Sequence, residues 1–241
     1  MNTESFKPCV PDEIYTSYQD VERGVKRYKK YFKDKIVFCN CDDPFESAFF
    51  QYFARNFKVL DLKELISISY TESPLAQRDL MLFYNGERFR HDAYRIKLTR
   101  DDMANLPGKV IELEDIKQYL PAARLCFMPL RLNGDYGNYE CMPMLSQVDI
   151  TVTHPPYSRL AHYITLMLNY QKKFLILAHT DILNHPKLAP AIKENLFTVA
   201  PRPCRFDKFT LYENWDFANG YPTGKPYTAK NIRWLTNLQP D

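Results

Sequence analysis

The chain has 241 residues, enough for one domain with a full hydrophobic core. Hydrophobic residues make up 45% and charged residues 25%, with a formal net charge of only +3, a balance that excludes disorder, collagen-like or coiled-coil architecture and a histone-like coat on polyphosphate. Glycine is scarce at 7 residues, while 17 Tyr and 16 Phe make broad planar side chains, rather than glycine loops, the material of surface and core.

In chain order, MNTESFKPCVPDE has no basic patch followed by an apolar run and is not a secretory signal. Tyr18, Val21, Val25, Tyr28 and Phe32 recur at three- and four-residue steps, so residues 20–32 read as an amphipathic helix. KIVFCNC, residues 35–41, suits a strand buried on both faces. Asp42-Asp43-Pro44 stops it, a Phe- and Tyr-rich helix follows over 46–57, and LISISY, 65–70, is the next strand. Residues 79–98 read as a hairpin turning at Asn85-Gly86, with an edge strand at 110–113 and a short helix at 114–120. Helix 139–147, strand 148–153, helix 160–170, strand 173–179 and helix 187–195 then alternate, the pattern of a parallel sheet with crossover helices. From Pro201 on, the chain is aromatic and turn-rich with antiparallel character. The expected fold class is α/β, a single domain over 1–241 with an inserted hairpin at 79–98 and an aromatic C-terminal segment at 201–241. The apolar stretch around residues 160–168 is too short to span a bilayer, and six cysteines without a Cys-x-x-Cys fit reduced thiols in a cytoplasmic protein.

Ligands of open parallel sheets sit beyond the carboxyl ends of the strands. Three such ends carry unusual chemistry: Cys41-Asp42-Asp43-Pro44, Gly134-Asp135-Tyr136 and Thr153-His154-Pro155-Pro156-Tyr157. Neither G-x-G-x-x-G nor G-x-x-x-x-G-K is present, which weighs against nicotinamide-dependent dehydrogenases and P-loop hydrolases. The Pro-Pro pair forms a stiff, extended exit from the sheet that fixes a carbonyl and the next aromatic ring. Enzymes that methylate amino groups use such an exit to accept hydrogen bonds from the target amine and to stack on its base. A rigid strand-to-helix turn capped by Ser158 explains the same residues without catalysis.

The chain resembles the EcoRI-type family of adenine-specific DNA methyltransferases from about Asp12 to Leu238. DEIYTSYQDVE is similar to the family's D-E-F-Y-T-Q segment, and KIVFCNCDDPFESAFFQYFARNF to its glycine-poor motif I. LNGDYGNYECMPMLSQVDITVTHPPYSRL resembles G-D-F-x-x-x-E-C running into a strand and N-P-P-F, and NIRWLTNL matches the W-F-T-N-L signature. The resemblance implies an S-adenosylmethionine-dependent methyltransferase fold, a mostly parallel sheet with helices on both faces. It also implies a cofactor site at Tyr15, Thr16, Asp42, Asp43, Pro44 and Asp135, and a target-amine site at His154, Pro155, Pro156 and Tyr157. Of Asp42 and Asp43, one is expected to touch the ligand.

Several positions depart from the family pattern. His154 stands in place of Asn, and neutral His offers a single acceptor nitrogen where Asn offers an amide oxygen. Ala178-His179 stands in place of Gly-Asn, Gly137-Asn138-Tyr139 in place of an Arg-Ser pair, and Ile14 in place of an aromatic. Family members continue beyond the W-F-T-N-L signature, and that tail is expected to help grip DNA. Arg88, Arg90 and Arg95, interleaved with Phe89 and Tyr94, are the expected nucleic-acid contacts. The basic residues Arg23, Lys26, Arg27, Lys29 and Lys30 read as a solvated face. No metal is expected at His154, His179, His185 and Asp181. The expected activity is methylation of adenine in DNA, within a restriction-modification setting. Sequence leaves open an inactive methyltransferase fold partnering a second methyltransferase subunit, and an acceptor such as RNA.

Overall fold

The computed structural model describes residues 14–44, 47–70, 93–112, 115, 127–201, 210–211, 215–216, 221–222 and 231–240. In chain order the strands are β1 (Ile14–Tyr15), β2 (Ile36–Cys39), β3 (Glu64–Ile68), β4 (Tyr94–Thr99), β5 (Phe127–Pro129), β6 (Ile150–Thr153), β7 (Lys173–His179), β8 (Thr198–Val199), β9 (Thr210–Leu211), β10 (Trp215–Asp216), β11 (Tyr221–Pro222) and β12 (Ile232–Thr236). The described α-helices are α1 (Tyr18–Val25), α2 (Ala48–Arg55), α3 (Arg100–Ala104), α4 (Met142–Gln147), α5 (Leu160–Asn169) and α6 (Ala189–Lys193).

The apolar runs of the sequence form the centre of an eight-stranded sheet with the order β5-β4-β3-β2-β6-β7-β12-β8. The four central strands β3, β2, β6 and β7 are parallel, and β4, β5, β12 and β8 continue the sheet antiparallel on its two sides. β6 is buried at every residue, as a strand covered on both faces must be. Chain order reverses at β2: β3 lies on one side of it and β6 on the other, so the switch point falls between β2 and β6. Among the described residues, no helix is long and apolar enough to cross a membrane.

The first helix is shorter than its apolar spacing predicts. Ser17 caps α1, accepting from the Asp20 amide at 3.2 Å, and a 3-10 turn takes over at Lys26–Tyr31. Lys26, Lys29 and Lys30 stand at α-helical neighbour spacings, where like charges repel. Tyr28 and Phe32 are nonetheless buried. Ser47 caps α2, whose Phe49, Phe50, Tyr52 and Phe53 enter the core. Trp234 of β12 lies against both helices. Its ring meets Phe49 edge-on at 5.8 Å, and a Cβ on Gly24 would fall 2.1 Å from its indole nitrogen.

Other expectations shift. The helix expected over 187–195 is a 3-10 turn, Pro186–Leu188, joined to the short α6, because Pro190 lacks an amide and its ring crowds the preceding turn. Val110 and Ile111 form no strand. The Ile111 amide instead donates to the Arg55 carbonyl at 2.9 Å, at the end of α2. β4 pairs with β3 and β5 inside the sheet, and the expected hairpin's residues 79–92 lie outside those described, as do residues 116–120 of the short helix. The antiparallel character of the last forty residues is real, but β12 carries it into the main sheet between β7 and β8.

Candidate active site

At the switch point the loop after β2 meets the exit of β6. The Ser67 hydroxyl of β3 donates to the carbonyls of Cys39 (3.1 Å) and Asp42 (2.7 Å), which fixes the chain as it leaves β2. Asp42 turns inward and is buried. Its carboxylate accepts from the Ser47 hydroxyl at 2.7 Å, from the Thr153 hydroxyl at the end of β6, and from the His154 amide. Asp43 faces the opposite way in function: partly exposed, it accepts from the Tyr94 hydroxyl of β4 at 3.1 and 3.2 Å. The two neighbouring carboxylates therefore divide their work. Asp42 ties β2, β6 and α2 together, whereas Asp43 joins the same loop to β4 through Tyr94 and is partly exposed.

Burial pushes the Asp42 carboxyl up to about 7, against the lowering effect of its hydroxyl donors. Its proton is held more tightly in the folded than in the unfolded state, so folding takes up a proton between about pH 4 and 7 and the stability it contributes falls as pH rises through that window. Asp42→Asn is expected to gain stability relative to the parent as pH rises from about 4.5 to 7.5, read from denaturant midpoints. A difference between the two proteins that does not change with pH would show that Asp42 ionises normally.

His154 leaves β6 with its ring bracketed by two hydroxyls. Thr16, just after β1, places Oγ1 3.2 Å from Nδ1, and the Tyr157 hydroxyl stands 2.9 Å from Nε2. The Tyr157 ring is buried and meets the imidazole edge-on at 5.3 Å. Burial lowers the His154 pKa to about 4, so the ring is neutral at physiological pH. Pro155 is buried and Pro156 partly so, and Tyr157–Arg159 form a 3-10 turn leading into α5. Ser158 lies inside that turn rather than capping it. Pro156 precedes the turn, and Arg159 precedes α5 with no side-chain cap.

Asp135 is held from the same loop. Its carboxylate accepts from the Gly137 amide at 2.7 Å and forms an ion pair with Arg159, whose guanidinium also lies 4.9 Å over the Tyr136 ring. Gly134 adopts φ +75°, and its α-carbon sits so close to β3's extension that a Cβ would fall 2.0 Å from the Ser69 carbonyl oxygen. Downstream, the Asn138 side chain accepts from the amides of Glu140 and Cys141, and the Glu140 carboxylate accepts from those of Arg131 and Leu132. These local bonds fold the GDYGNYEC stretch without help from regular structure.

Thr16, Asp42, Asp43, His154, Pro155 and Tyr157 thus gather at the ends of β2 and β6, and Arg159 links Asp135 to them. Tyr15 lies on β1, paired with β9, and Pro44 is buried in the turn after Asp43. Arg88 and Arg90 lie outside the described residues. Arg95 is in β4 and half-buried; since its neighbour Tyr94 reaches Asp43, Arg95 points to the opposite face of the sheet. Its Nε is buried with no hydrogen-bond partner among the described residues. His179 pairs with Asp181, their nearest atoms 3.2 Å apart. Sequence reading missed Arg159 and Thr153. Ser47 carried a legible signal, a hydroxyl residue directly before an apolar helix.

A ligand with hydroxyl and amine donors at one end and an acceptor at the other fits these residues. Asp43 and Asp135 supply acceptors, and the Asn40 amide nitrogen at the end of β2 is a buried donor without a partner among the described residues.

The family model described as adenine-specific methyltransferase EcoRI matches residues 5–241. The type II methyltransferase M.EcoRI of Escherichia coli is 32% identical across 96% of this chain and 67% of its own length. M.MpnI of Mycoplasma pneumoniae is 30% identical across 97% of this chain, and M.MgeORF184P of Mycoplasma genitalium 27% identical across 96%; each is matched over 63% of its length. The chain therefore spans about two thirds of the length of these curated relatives. No solved structure matches. A match over nearly the whole chain, with the Pro-Pro exit at the switch point, makes the chain a member of the adenine-specific methyltransferase EcoRI family.

Proposed function

We propose that this protein methylates the exocyclic amine of adenine in DNA, with S-adenosylmethionine as donor. The observation that carries the reading is the neutral His154 ring on a stiff Pro-Pro exit, set at the sheet's switch point beside Asp42 and Asp43. When bound, S-adenosylmethionine supplies an electrophilic methyl group on a sulfonium sulfur. Tyr15, Asp43, Pro44 and Asp135 hold it, with Asp135 accepting from its adenine amine, while Asp42 acts indirectly by fixing the loop. Nε2 of His154 and the Pro155 carbonyl accept the two hydrogens of the target amine, which turns the nitrogen lone pair out of conjugation and toward the methyl group. Tyr157 lines the place of an adenine turned out of its duplex, since an amine inside the base stack is out of reach.

A polyanionic partner suits the rim of this site. Burial lowers the pKa of His162, and the positive charges of Arg159 and Lys187 lower it further, so the positive charge beside the loop comes from these two cations and not from the histidine. A cytoplasmic location is in keeping with a reaction on DNA. The test is transfer of radiolabelled methyl from S-adenosylmethionine to unmethylated genomic DNA, followed by digestion to nucleosides. Label in N6-methyladenine is expected. A folded protein that leaves DNA unlabelled, or labels RNA instead, overturns the reading.

A further inference from the structure

A neutral imidazole carries one N–H and one bare nitrogen, so it accepts on one edge only. Whether His154 can receive an amine hydrogen depends on which edge is bare. Among the described residues each of its ring nitrogens faces a hydroxyl, able to donate or accept, and the two hydroxyls come from different parts of the chain. Tyr157 belongs to the target-amine loop and faces Nε2, while Thr16 comes from the segment after β1, 138 residues away, and faces Nδ1. Two proton arrangements satisfy both contacts. In one, Nδ1–H donates to Thr16 and the Tyr157 phenol donates to Nε2. In the other, the Thr16 hydroxyl donates to Nδ1 and Nε2–H donates to Tyr157. A phenol, with a pKa of about 10, is a better donor and a poorer acceptor than an aliphatic alcohol, which favours the first arrangement.

We infer that Thr16 is a positioning residue for the transfer: its hydroxyl holds the His154 proton on Nδ1 and leaves Nε2 as an acceptor, which the Tyr157 hydroxyl occupies until the target amine displaces it. The inference rests on the proposed reading of His154, and it gives Thr16 a partner in the amine site in place of the cofactor contact expected from sequence. It follows that the amine site is satisfied internally when no substrate is present, with no buried nitrogen left bare. The arrangement belongs to a histidine at this position. An asparagine presents its oxygen without any choice of tautomer.

The test reads the tautomer directly. Two-bond 15N–1H correlations of His154 in the substrate-free protein at pH 7.5 should show the proton on Nδ1 in the parent and in Thr16→Ser. In Thr16→Val the acceptor is gone, and the proton should move toward Nε2. Transfer to DNA should fall by roughly 10- to 100-fold in Thr16→Val, by analogy with losing the partner that orients a metal-binding imidazole. Thr16→Ser should retain most of the rate, and the KM for S-adenosylmethionine should be unchanged in both. A proton on Nε2 in the parent overturns the inference. So does an unaltered tautomer in Thr16→Val accompanied by a raised KM for S-adenosylmethionine, which would return Thr16 to the cofactor. If no protein transfers methyl groups, the methylation reading fails on its own, while the nitrogen spectra still decide whether Thr16 holds the His154 proton.

Discussion

Gly134→Ala is expected to destabilise the protein by roughly 2 to 5 kcal/mol, the combined range for forcing a side chain into the left-handed region and for overpacking. Gly134 has φ +75°, and its added methyl would lie 2.0 Å from the Ser69 carbonyl oxygen and 2.8 Å from the Ala93 Cβ. Neither neighbour can swing aside. Ser69 donates its amide to the Tyr94 carbonyl at 2.9 Å, and the Ala93 carbonyl accepts from Leu130 at 2.7 Å, so both belong to the extended backbone of β3 and β4. Relief must come from the segment carrying Asp135, the next residue. Loss of stability and weaker S-adenosylmethionine binding should therefore appear together. Gly137→Ala is the control. Its methyl would meet only side-chain atoms, at 3.3 to 3.4 Å, and its midpoint should move far less. Equal midpoints for the two variants, by denaturant unfolding, would show that the close approach at Gly134 relaxes freely.

His154→Ala is expected to lower methyl transfer by about 10²- to 10³-fold, the cost of removing one preorganised hydrogen-bond partner of the reacting group. His154→Asn should restore most of the rate, because an amide oxygen takes up the acceptor role without a titration. The parent's rate should not fall on account of His154 between pH 8 and pH 6, since burial puts its protonation at about 4. Only below that value does the ring lose its bare nitrogen. Steady-state rates on a fixed DNA at several pH values read both effects, and an alanine variant within threefold of the parent would remove His154 from the amine site.

Local pattern made much of this fold readable, and distance in sequence hid the rest. β7 and α5 follow apolar runs with clear ends, and their bounds agree with the expectation to within a residue. The Pro-Pro exit and the two Asp residues after β2 also read directly, because strand ends are where a parallel sheet binds. The division between Asp42 and Asp43 did not. It depends on Thr153 and Ser47 turning toward one carboxylate and Tyr94 toward the other, and Thr153 lies 111 residues from Asp42. The Thr16–His154 contact is equally non-local. Around Arg95, alternating basic and aromatic residues describe both a nucleic-acid surface and a sheet strand whose side chains point to opposite faces, and the strand is what β4 forms. β12 was legible as a family signature but not as a sheet strand, since nothing in NIRWLTNL says which edge it will join.

The position of β12 also has a bearing on biosynthesis. Until residues 232–236 have been made, β7 has no neighbour on one side, and β8 has nothing through which to join the sheet. The exposed edge would be KFLILAH, a buried apolar strand in the finished protein with a row of unpaired amides and carbonyls. Such an edge is a template for pairing with another chain. Trp234, which packs against Gly24 and Phe49, arrives on the same strand, so the first helices wait for it as well. The growing polypeptide thus keeps this edge open from residue 179 until residue 232 has been made, and chaperone occupancy on the ribosome should rise once β7 emerges and fall when β12 follows.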